Sequence, residues 1–220
     1  LLVIFRGINT NYFNPQKISP IKLNKFSKQN NIDRNKFIIL LPGRLTYWKG
    51  QKIFIEAIKL LYEKSDIPSF EAIVLGNEQG RNVYKKQLID LVLKHRLNKV
   101  IKFIDHCKEM PVAYGISNLV CSCSLEPEAF GRIAVEAQSM QIPIIASDIG
   151  GSKETIIKDK TGYLYKNKDP INLANLIAAV MQKKYGSLQS LGIEGRKNVL
   201  KRFDVDKMCQ TTFTEYKKLI

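Results

Sequence analysis

The sequence predicts an α/β fold in which helices cover both faces of an open, parallel β-sheet. Segments with strand and helix patterns alternate along the chain, and the strand segments are continuous apolar runs. Such runs are typical of strands buried on both faces, whereas a sheet with one wet face alternates polar and apolar residues. The length of 220 residues, with 45% hydrophobic and 25% charged residues, excludes a disordered tail, a collagen and a disulfide-stapled miniprotein.

The predicted strands are short apolar segments bounded by Pro, Gly or polar residues: 37–41, 71–75, 100–103, 119–123 and 143–147. The predicted helices between them are amphipathic segments: 52–64, 83–95, 112–116 and 131–140. In the first of these helices, Phe54, Ile58 and Leu61 recur at helical spacing and form one apolar face. This order of strands and helices predicts a Rossmann-like domain.

The C-terminal part of the chain has helix patterns. Asp169 and Pro170 are a typical helix cap and first helical residue, and two more helices are predicted over 187–202 and 206–219. The chain is expected to have three parts: an N-terminal interdomain linker segment over 1–36, a Rossmann-like domain over 37–182, and C-terminal helices over 183–220. The linker segment is basic and rich in Asn.

The net charge is unusual. The chain has 35 basic and 20 acidic residues, a formal charge of +15. This excess has two open interpretations: a nucleic acid or another anionic partner, or a general bias toward Lys, Ile and Asn. The basic residues are mostly Lys, whereas Arg recognises phosphate and base edges better, so the second interpretation is favoured.

The four cysteines are predicted to be reduced thiols in the cytoplasm. Cys121 and Cys123 lie two residues apart in an apolar strand segment, so both are expected to be buried on one face. A metal site would need more ligands than the neighbouring His106 and Cys107 supply, and none is predicted. No apolar run reaches the roughly 20 residues that a transmembrane helix needs.

The loop after the first strand contains Gly43, Arg44 and Lys49 and leads into a helix. Ligands of open parallel sheets bind beyond the carboxyl ends of the strands. Two cations beside a helix N-terminus suit an anion such as a diphosphate. The loop lacks the spacing of a Walker or Gly-x-Gly-x-x-Gly motif, and a solvated basic turn is the alternative.

The loop after the fourth strand contains Glu128, and Gly131 is expected to start the helix that includes Glu136. A glycine at a helix start lets a ligand approach the backbone closely. A carboxylate one turn deeper can accept hydrogen bonds from ribose hydroxyls, and it is costly among apolar residues unless it is paired. The alternative is that Glu136 faces solvent or bonds a neighbouring Lys.

Two further segments have residue patterns that occur in ligand sites. Gly150 and Gly151 follow the fifth strand, and they predict either an anion cradle of backbone N–H groups or a plain turn. Asp204 and Asp206 have the spacing of a metal-binding acidic pair, but they lie between two predicted helices. We therefore expect them to cap a helix.

Taken in order, these motifs resemble the nucleotide-sugar-binding half of retaining glycosyltransferases of family 4, which have the two-domain GT-B fold. The resemblance rests on Gly43-Arg44 with Lys49, on Gly76-Asn77, on the Glu-x7-Glu element over 128–136, on Gly150-Gly151 and on Thr161-Gly162. It runs from Arg6 to the final helix, and the Glu-x7-Glu element with its internal Phe-Gly is its most specific part.

The resemblance implies a role for each matching residue. Arg44 and Lys49 would neutralise the donor diphosphate, Glu136 would hold the ribose, and Glu128 would lie beside the sugar ring. The implied catalytic residues are Glu128, Arg44 and Lys49. The implied donor-binding residues are Gly43, Arg44, Lys49, Gly76, Asn77, Phe130, Gly131, Arg132 and Glu136, with segment 102–110 shaping the base pocket. Such enzymes usually need no divalent metal and no cofactor.

The expected function is therefore donor binding in a hexosyltransferase that uses a UDP-, GDP- or ADP-linked sugar. The acceptor would be a polysaccharide or glycolipid of the bacterial envelope, such as lipopolysaccharide or capsule, assembled in the cytoplasm or at the inner membrane. The acceptor-binding half is missing from this chain, so the chain alone is expected to be inactive. The alternatives are a sugar phosphorylase or synthase, and a basic non-enzymatic module that binds nucleic acid or an anionic membrane.

Overall fold

The computed structural model describes residues 2–80 and 82–218, and these residues form an α/β domain with a six-stranded sheet. The strands are β1 (Phe37–Pro42), β2 (Phe70–Leu75), β3 (Ile101–Ile104), β4 (Leu119–Ser122), β5 (Ile144–Ser147) and β6 (Tyr163–Tyr165). Their order is β3-β2-β1-β4-β5-β6, and every pair of neighbours is parallel. The predicted Rossmann-like fold is confirmed.

The sheet has a switch point between β1 and β4. From β1 the chain continues to β2 and β3 on one side, and it then returns to place β4, β5 and β6 on the other. Leu40 of β1 is paired with Ile73 of β2 on one side and with Val120 of β4 on the other. The loops that follow β1 and β4 therefore leave a crevice at their carboxyl ends, which is where open α/β sheets bind ligands.

Helices cover both faces of this sheet. They are α1 (Pro20–Gln29), α2 (Gln51–Tyr62), α3 (Asn82–Lys94), α4 (Met110–Gly115), α5 (Arg132–Ser139), α6 (Ser152–Thr155), α7 (Pro170–Met181), α8 (Leu188–Arg202) and α9 (Val205–Lys217). The predicted helices agree with these bounds to within two residues, and the predicted end of the last one at Leu219 lies outside the described residues. The sequence patterns missed α1, α6 and β6.

The core is divided by the sheet into two layers. Ile39 points to the layer that contains Phe54 of α2 and Ile177 of α7, and all three are fully buried. Leu40, the next residue of β1, points to the opposite layer with Val135 of α5. Adjacent residues of one strand thus bury their side chains on opposite faces, which explains the continuous apolar runs.

The N-terminal segment is more ordered than its composition indicates. Ser19 caps α1 by accepting a hydrogen bond from Ile21 N at 3.2 Å, and α1 packs on α4. Before it, Ile8 forms a parallel bridge with Asp204, in which Ile8 N donates to Phe203 O at 2.9 Å and Val205 N donates to Ile8 O at 3.0 Å. The predicted division into three parts stays a prediction.

The C-terminal helices have the expected caps. Asp169 Oδ1 accepts from Asn172 N at 2.9 Å at the start of α7. Asp204 Oδ1 accepts from Asp206 N at 3.0 Å at the start of α9, so the cap interpretation of this pair is confirmed. None of the residues of α9 is buried.

The predicted burial of Cys121 and Cys123 on one face is confirmed. Cys121 and Cys123 are buried in the same core layer, Cys107 is buried in the other layer, and Cys209 is exposed. All four are free thiols. Burial raises the pKa of the Cys123 thiol to about 12 and raises the pKa of Cys121 well above its usual value, so both behave as neutral apolar groups.

Candidate functional site

All of the predicted site residues except Lys49 line one of two cavities at the carboxyl ends of the strands. The β1–β2 cavity has a volume of about 340 Å³, and its walls include Gly43, Arg44, Gly76, Asn77 and Glu136. The β4 cavity, also about 340 Å³, is lined by the N-terminal segment 6–9 together with Glu128, Phe130, Gly131 and Arg132. The structure thus places the sequence-predicted residues around one crevice.

The loop after β1 presents a cation to this crevice. Gly43 has a φ of +144°, and the side chain of Arg44 is exposed with no ion-pair partner among the described residues. The loop is held from behind by Gln51, the first residue of α2, whose side-chain amide donates to Arg44 O at 2.8 Å. Tyr84 OH donates to Gln51 Oε1 at 3.3 Å. The Arg44 backbone is therefore fixed while its guanidinium remains available.

The loop after β1 also packs directly on the loop after β4. Gly50 has a φ of +70°, and a Cβ built on it would lie 1.8 Å from the carbonyl oxygen of Cys123. Leu125 N donates to Trp48 O at 2.7 Å, which ties the same two loops together. Only glycine fits at position 50, because the φ favours it and because the backbones approach so closely.

Lys49 and Glu128 join these two loops across the switch point. Lys49 Nζ lies 2.7 Å from Glu128 Oε1, with side chains 16% and 23% exposed. The hydroxyl of Ser124 donates to the same carboxylate oxygen. This ion pair is partly shielded from water, so it is stronger than an exposed surface pair and holds Lys49 against Glu128, which lines the β4 cavity.

Glu136 is buried at the back of the β1–β2 cavity, with 8% of its side chain exposed. Its Oε2 accepts from Tyr114 OH at 2.8 Å, and its Oε1 lies 2.6 Å from Arg132 Nε. Burial, assisted by the negative charge of Glu136, raises the pKa of Tyr114 well above its usual value, so this hydroxyl is a neutral donor. The alternative that Glu136 faces solvent or bonds a Lys is wrong.

The paired glycines after β5 serve the packing of the Glu128 loop. Gly151 N donates to Glu128 O at 2.7 Å, so this N–H group is not available to an anion. A Cβ on Gly151 would lie 2.4 Å from the carbonyl carbon of Phe130, and one on Gly150 would lie 2.7 Å from Glu128 O. Of the two interpretations of this segment, the turn is therefore favoured over the anion cradle.

The outer wall of the β1–β2 cavity comes from the loops after β2 and β3. Gly76 N donates to Ile104 O at 2.8 Å, and a Cβ on Gly76 would lie 2.0 Å from Gly43 O. Asp105 bonds the Lys85 ammonium, which also lies 3.3 Å from Glu78 Oε2, and the bond to Asp105 raises the pKa of Lys85. The predicted segment 102–110 contributes part of this wall.

Sequence reasoning missed the residues that hold the site from behind. Gln51, Tyr114 and Ser124 each bond a site residue or its backbone, and Tyr84 bonds Gln51. Polar residues in otherwise apolar segments were the only signal for them: Tyr114 lies in the predicted short helix over 112–116, and Ser124 follows a strand.

Residues 2–80 and 82–218 contain no group of three or more His, Cys, Asp or Glu side chains that could hold a metal ion. No helix within them is long and apolar enough to cross a membrane.

An open parallel sheet with a polar, cationic crevice at its switch point defines a Rossmann-like ligand-binding domain. Comparison with known sequences identifies its family. The chain belongs to the family described as "Glycosyl transferases group 1", whose sequence model matches residues 23–198.

Relatives of known structure share the whole fold. A glycosyltransferase from Rickettsia africae ESF-5 is 30% identical, with a TM-score of 0.93 over 99% of this chain and 56% of that one. Anabaena Alr3699/HepE, crystallised with UDP-glucose, is 26% identical, with a TM-score of 0.86 over 99% of this chain and 57% of that one.

The chain also has relatives among curated sequences. The capsular polysaccharide biosynthesis glycosyltransferase CapM of Staphylococcus aureus is 24% identical over 83% of this chain and 48% of CapM.

These findings confirm that the chain belongs to a glycosyltransferase family and has the predicted C-terminal GT-B fold. They favour a glycosyltransferase over a basic binding module for nucleic acid or membranes. The chain spans about half the length of the curated relatives it matches.

Proposed function

We propose that this chain is the donor-binding part of a retaining glycosyltransferase that moves a hexosyl group from a nucleoside diphosphate sugar to a polysaccharide or glycolipid acceptor. The main support is the 2.7 Å contact between Lys49 and Glu128, together with Arg44, which lies on the same loop as Lys49 and has no ion-pair partner within the described part of the chain. This places two cations and a carboxylate on the two loops that flank the switch point, where a phosphorylated ligand of an open α/β sheet is expected.

The cations suit the leaving group. When the glycosidic bond of a nucleotide sugar breaks, negative charge grows on the diphosphate, and fixed cations stabilise that charge in the transition state. In the proposal Arg44 binds the diphosphate directly, and Lys49 is shared between the diphosphate and Glu128. The first residues of α5 add backbone N–H donors at their positive helix end. Arg44 and Lys49 would thereby supply the positive charge that a divalent metal supplies in other transferases.

The remaining residues are assigned by position. Glu136 would accept hydrogen bonds from the ribose, and the loops that contain Gly76 and Asn77 would face the base. Glu128 and the backbone of 130–132 would contact the sugar in the β4 cavity. Retention of configuration would follow if the acceptor attacks from the face that the diphosphate leaves, with a diphosphate oxygen taking the acceptor proton.

The comparisons support the substrate classes of this proposal. HepE was crystallised with UDP-glucose, which supports a nucleotide-sugar donor here, and CapM is named for capsular polysaccharide biosynthesis. An acceptor-binding half would be the partner of this chain. The predicted cytoplasmic location, with peripheral contact with the inner membrane, stays a prediction.

Calorimetric titration of the chain with UDP, GDP and ADP, each with and without Mg²⁺, tests the proposal. We expect one nucleotide to bind without a metal requirement. Arg44→Ala and Lys49→Ala should each weaken it by about 10-fold or more, because a hydrogen bond to a charged group contributes about 1.5–3 kcal/mol. Lys184→Ala is the matched control, since it removes one exposed cation beyond α7.

Two results would contradict the proposal. One is that no nucleotide binds and Glu136→Ala changes nothing. The other is that Lys184→Ala weakens nucleotide binding as much as Arg44→Ala does, since binding would then follow net charge and not the crevice. Strongly salt-dependent binding of DNA or anionic vesicles, without nucleotide preference, would instead favour the basic module.

A further inference from the structure

We propose that Tyr114 is a positioning residue for ribose recognition, because its hydroxyl orients the Glu136 carboxylate toward the ligand. This inference rests on the proposed function, since it requires a nucleotide in the β1–β2 cavity. Tyr114 and Glu136 both line that cavity, although they are 22 residues apart in the sequence. The hydroxyl donates to Glu136 Oε2 at 2.8 Å.

The two partners of Glu136 differ in mobility. Tyr114 is fully buried, and its ring packs edge-on against Phe13 with the ring centroids 6.1 Å apart. Arg132, the partner of Oε1, has 70% of its side chain exposed. An arriving ribose can therefore displace or share the guanidinium, whereas the phenol stays in place. Each carboxylate oxygen can accept about two hydrogen bonds, so Glu136 retains acceptor capacity while Tyr114 holds it.

Fixing the carboxylate in advance increases affinity for a hydroxyl donor. A buried acceptor that is already oriented loses little conformational freedom when the ligand binds. Without the phenol hydroxyl, Oε2 would lose its buried donor and the carboxylate could rotate toward Arg132. Tyr114→Phe removes only that hydroxyl and keeps the ring. It is therefore expected to weaken the contact with the ribose more than the contacts with the base and the diphosphate.

The test compares UDP with 2′,3′-dideoxy-UDP, which lacks both ribose hydroxyls, by calorimetric titration of the 220-residue chain. Wild type should prefer UDP. Tyr114→Phe should weaken UDP about 3- to 10-fold, the effect of losing one hydrogen bond, and leave the dideoxy compound within about 2-fold. Tyr165→Phe, which removes a buried hydroxyl in the opposite core layer, is the matched control and should leave the preference for UDP unchanged.

The positioning role is overturned if Tyr114→Phe weakens both nucleotides equally, because the effect would then be general. It is also overturned if the variant keeps the full preference for UDP. Glu136→Gln separates this failure from that of the proposed function. If Glu136→Gln removes the preference and Tyr114→Phe does not, only the inference about Tyr114 fails. If neither UDP, GDP nor ADP binds wild type, the proposed function and this inference fail together.

Discussion

Gly50→Ala tests whether the loop after β1 is locked onto the loop after β4. A Cβ at position 50 would lie 1.8 Å from the carbonyl oxygen of Cys123 and 2.8 Å from its carbon, at a φ of +70°. An alanine in the left-handed region costs about 1–2 kcal/mol, and forcing an atom into a packed interior costs about 1–3 kcal/mol. We therefore expect the free energy of unfolding to fall by about 2–5 kcal/mol, out of the roughly 5–15 kcal/mol typical of a folded domain.

Urea unfolding followed by circular dichroism measures this loss. The fluorescence of Trp48, the only tryptophan of the chain, gives a second signal beside the mutated residue. The matched control is Gly186→Ala, because Gly186 has a φ of +93° and no atom within 4 Å of a built Cβ. The control should lose only the conformational part, about 1–2 kcal/mol, and the difference between the variants measures the overlap with Cys123.

Gly50→Ala should also disturb the ligand site. Lys49 precedes Gly50, and Ser124 follows Cys123, so separating the two backbones moves both partners of Glu128. We expect Gly50→Ala to weaken UDP binding and Gly186→Ala to leave it unchanged. If both alanines cost the same free energy and neither changes binding, the close approach of the two loops does not hold the site, and the reasoning is refuted.

Three other predictions concern the thiols and the tail. In the native chain, a thiol reagent should label Cys209 quickly and the other three cysteines only after unfolding, as counted by mass spectrometry. Rapid labelling of all four thiols would contradict the burial of those three. The pKa of Cys123 is raised from 9.0 to about 12, so above pH 9 the unfolded chain loses this proton first and stability falls as the pH rises toward 12. Cys123→Ala should reduce the slope of unfolding free energy against pH by up to about 1.4 kcal/mol per unit, and an unchanged slope would refute the assignment. Asp204→Ala should destabilise the chain by about 1 kcal/mol, and it should increase the rate of amide hydrogen exchange in α9 more than in the sheet. An equal increase in α9 and in the sheet would argue against a local cap.

The sequence predicted the sheet well because its strands are buried on both faces. Continuous apolar runs identify such strands without knowledge of their neighbours. The strand β6 has only three residues, too few for a pattern, and it exists because it pairs with β5. The helix α1 buries only Ser27 fully, and its apolar contact with the core comes from two partly buried residues, Leu23 and Phe26, which are too few for a clear pattern. Elements that depend on tertiary contacts more than on their own periodicity were therefore missed.

In the site, too, the residues with a local sequence pattern could be predicted and those that depend on tertiary contacts could not. Arg44, Lys49, Glu128 and Glu136 could be identified because they occupy loops and helix starts after predicted strands. Their supporting partners could not, since Tyr114 meets Glu136 across 22 residues and the choice among polar residues is made by packing. The glycines after β5 were open to two interpretations, because a turn and an anion site need the same φ angles, and the neighbouring backbone distinguishes them.

The bridge between Ile8 and Asp204 has a mechanical consequence. The two bridged segments run parallel, so the chain before Ile8 and the chain after Asp204 leave the bridge in opposite directions. A pulling force on the two ends of the chain therefore loads both bridge hydrogen bonds in shear, at the same time, instead of peeling them apart in turn. The polypeptide between the two residues, which includes the entire sheet, lies behind this bridge, so we expect rupture of the bridge to precede unfolding of the sheet under force.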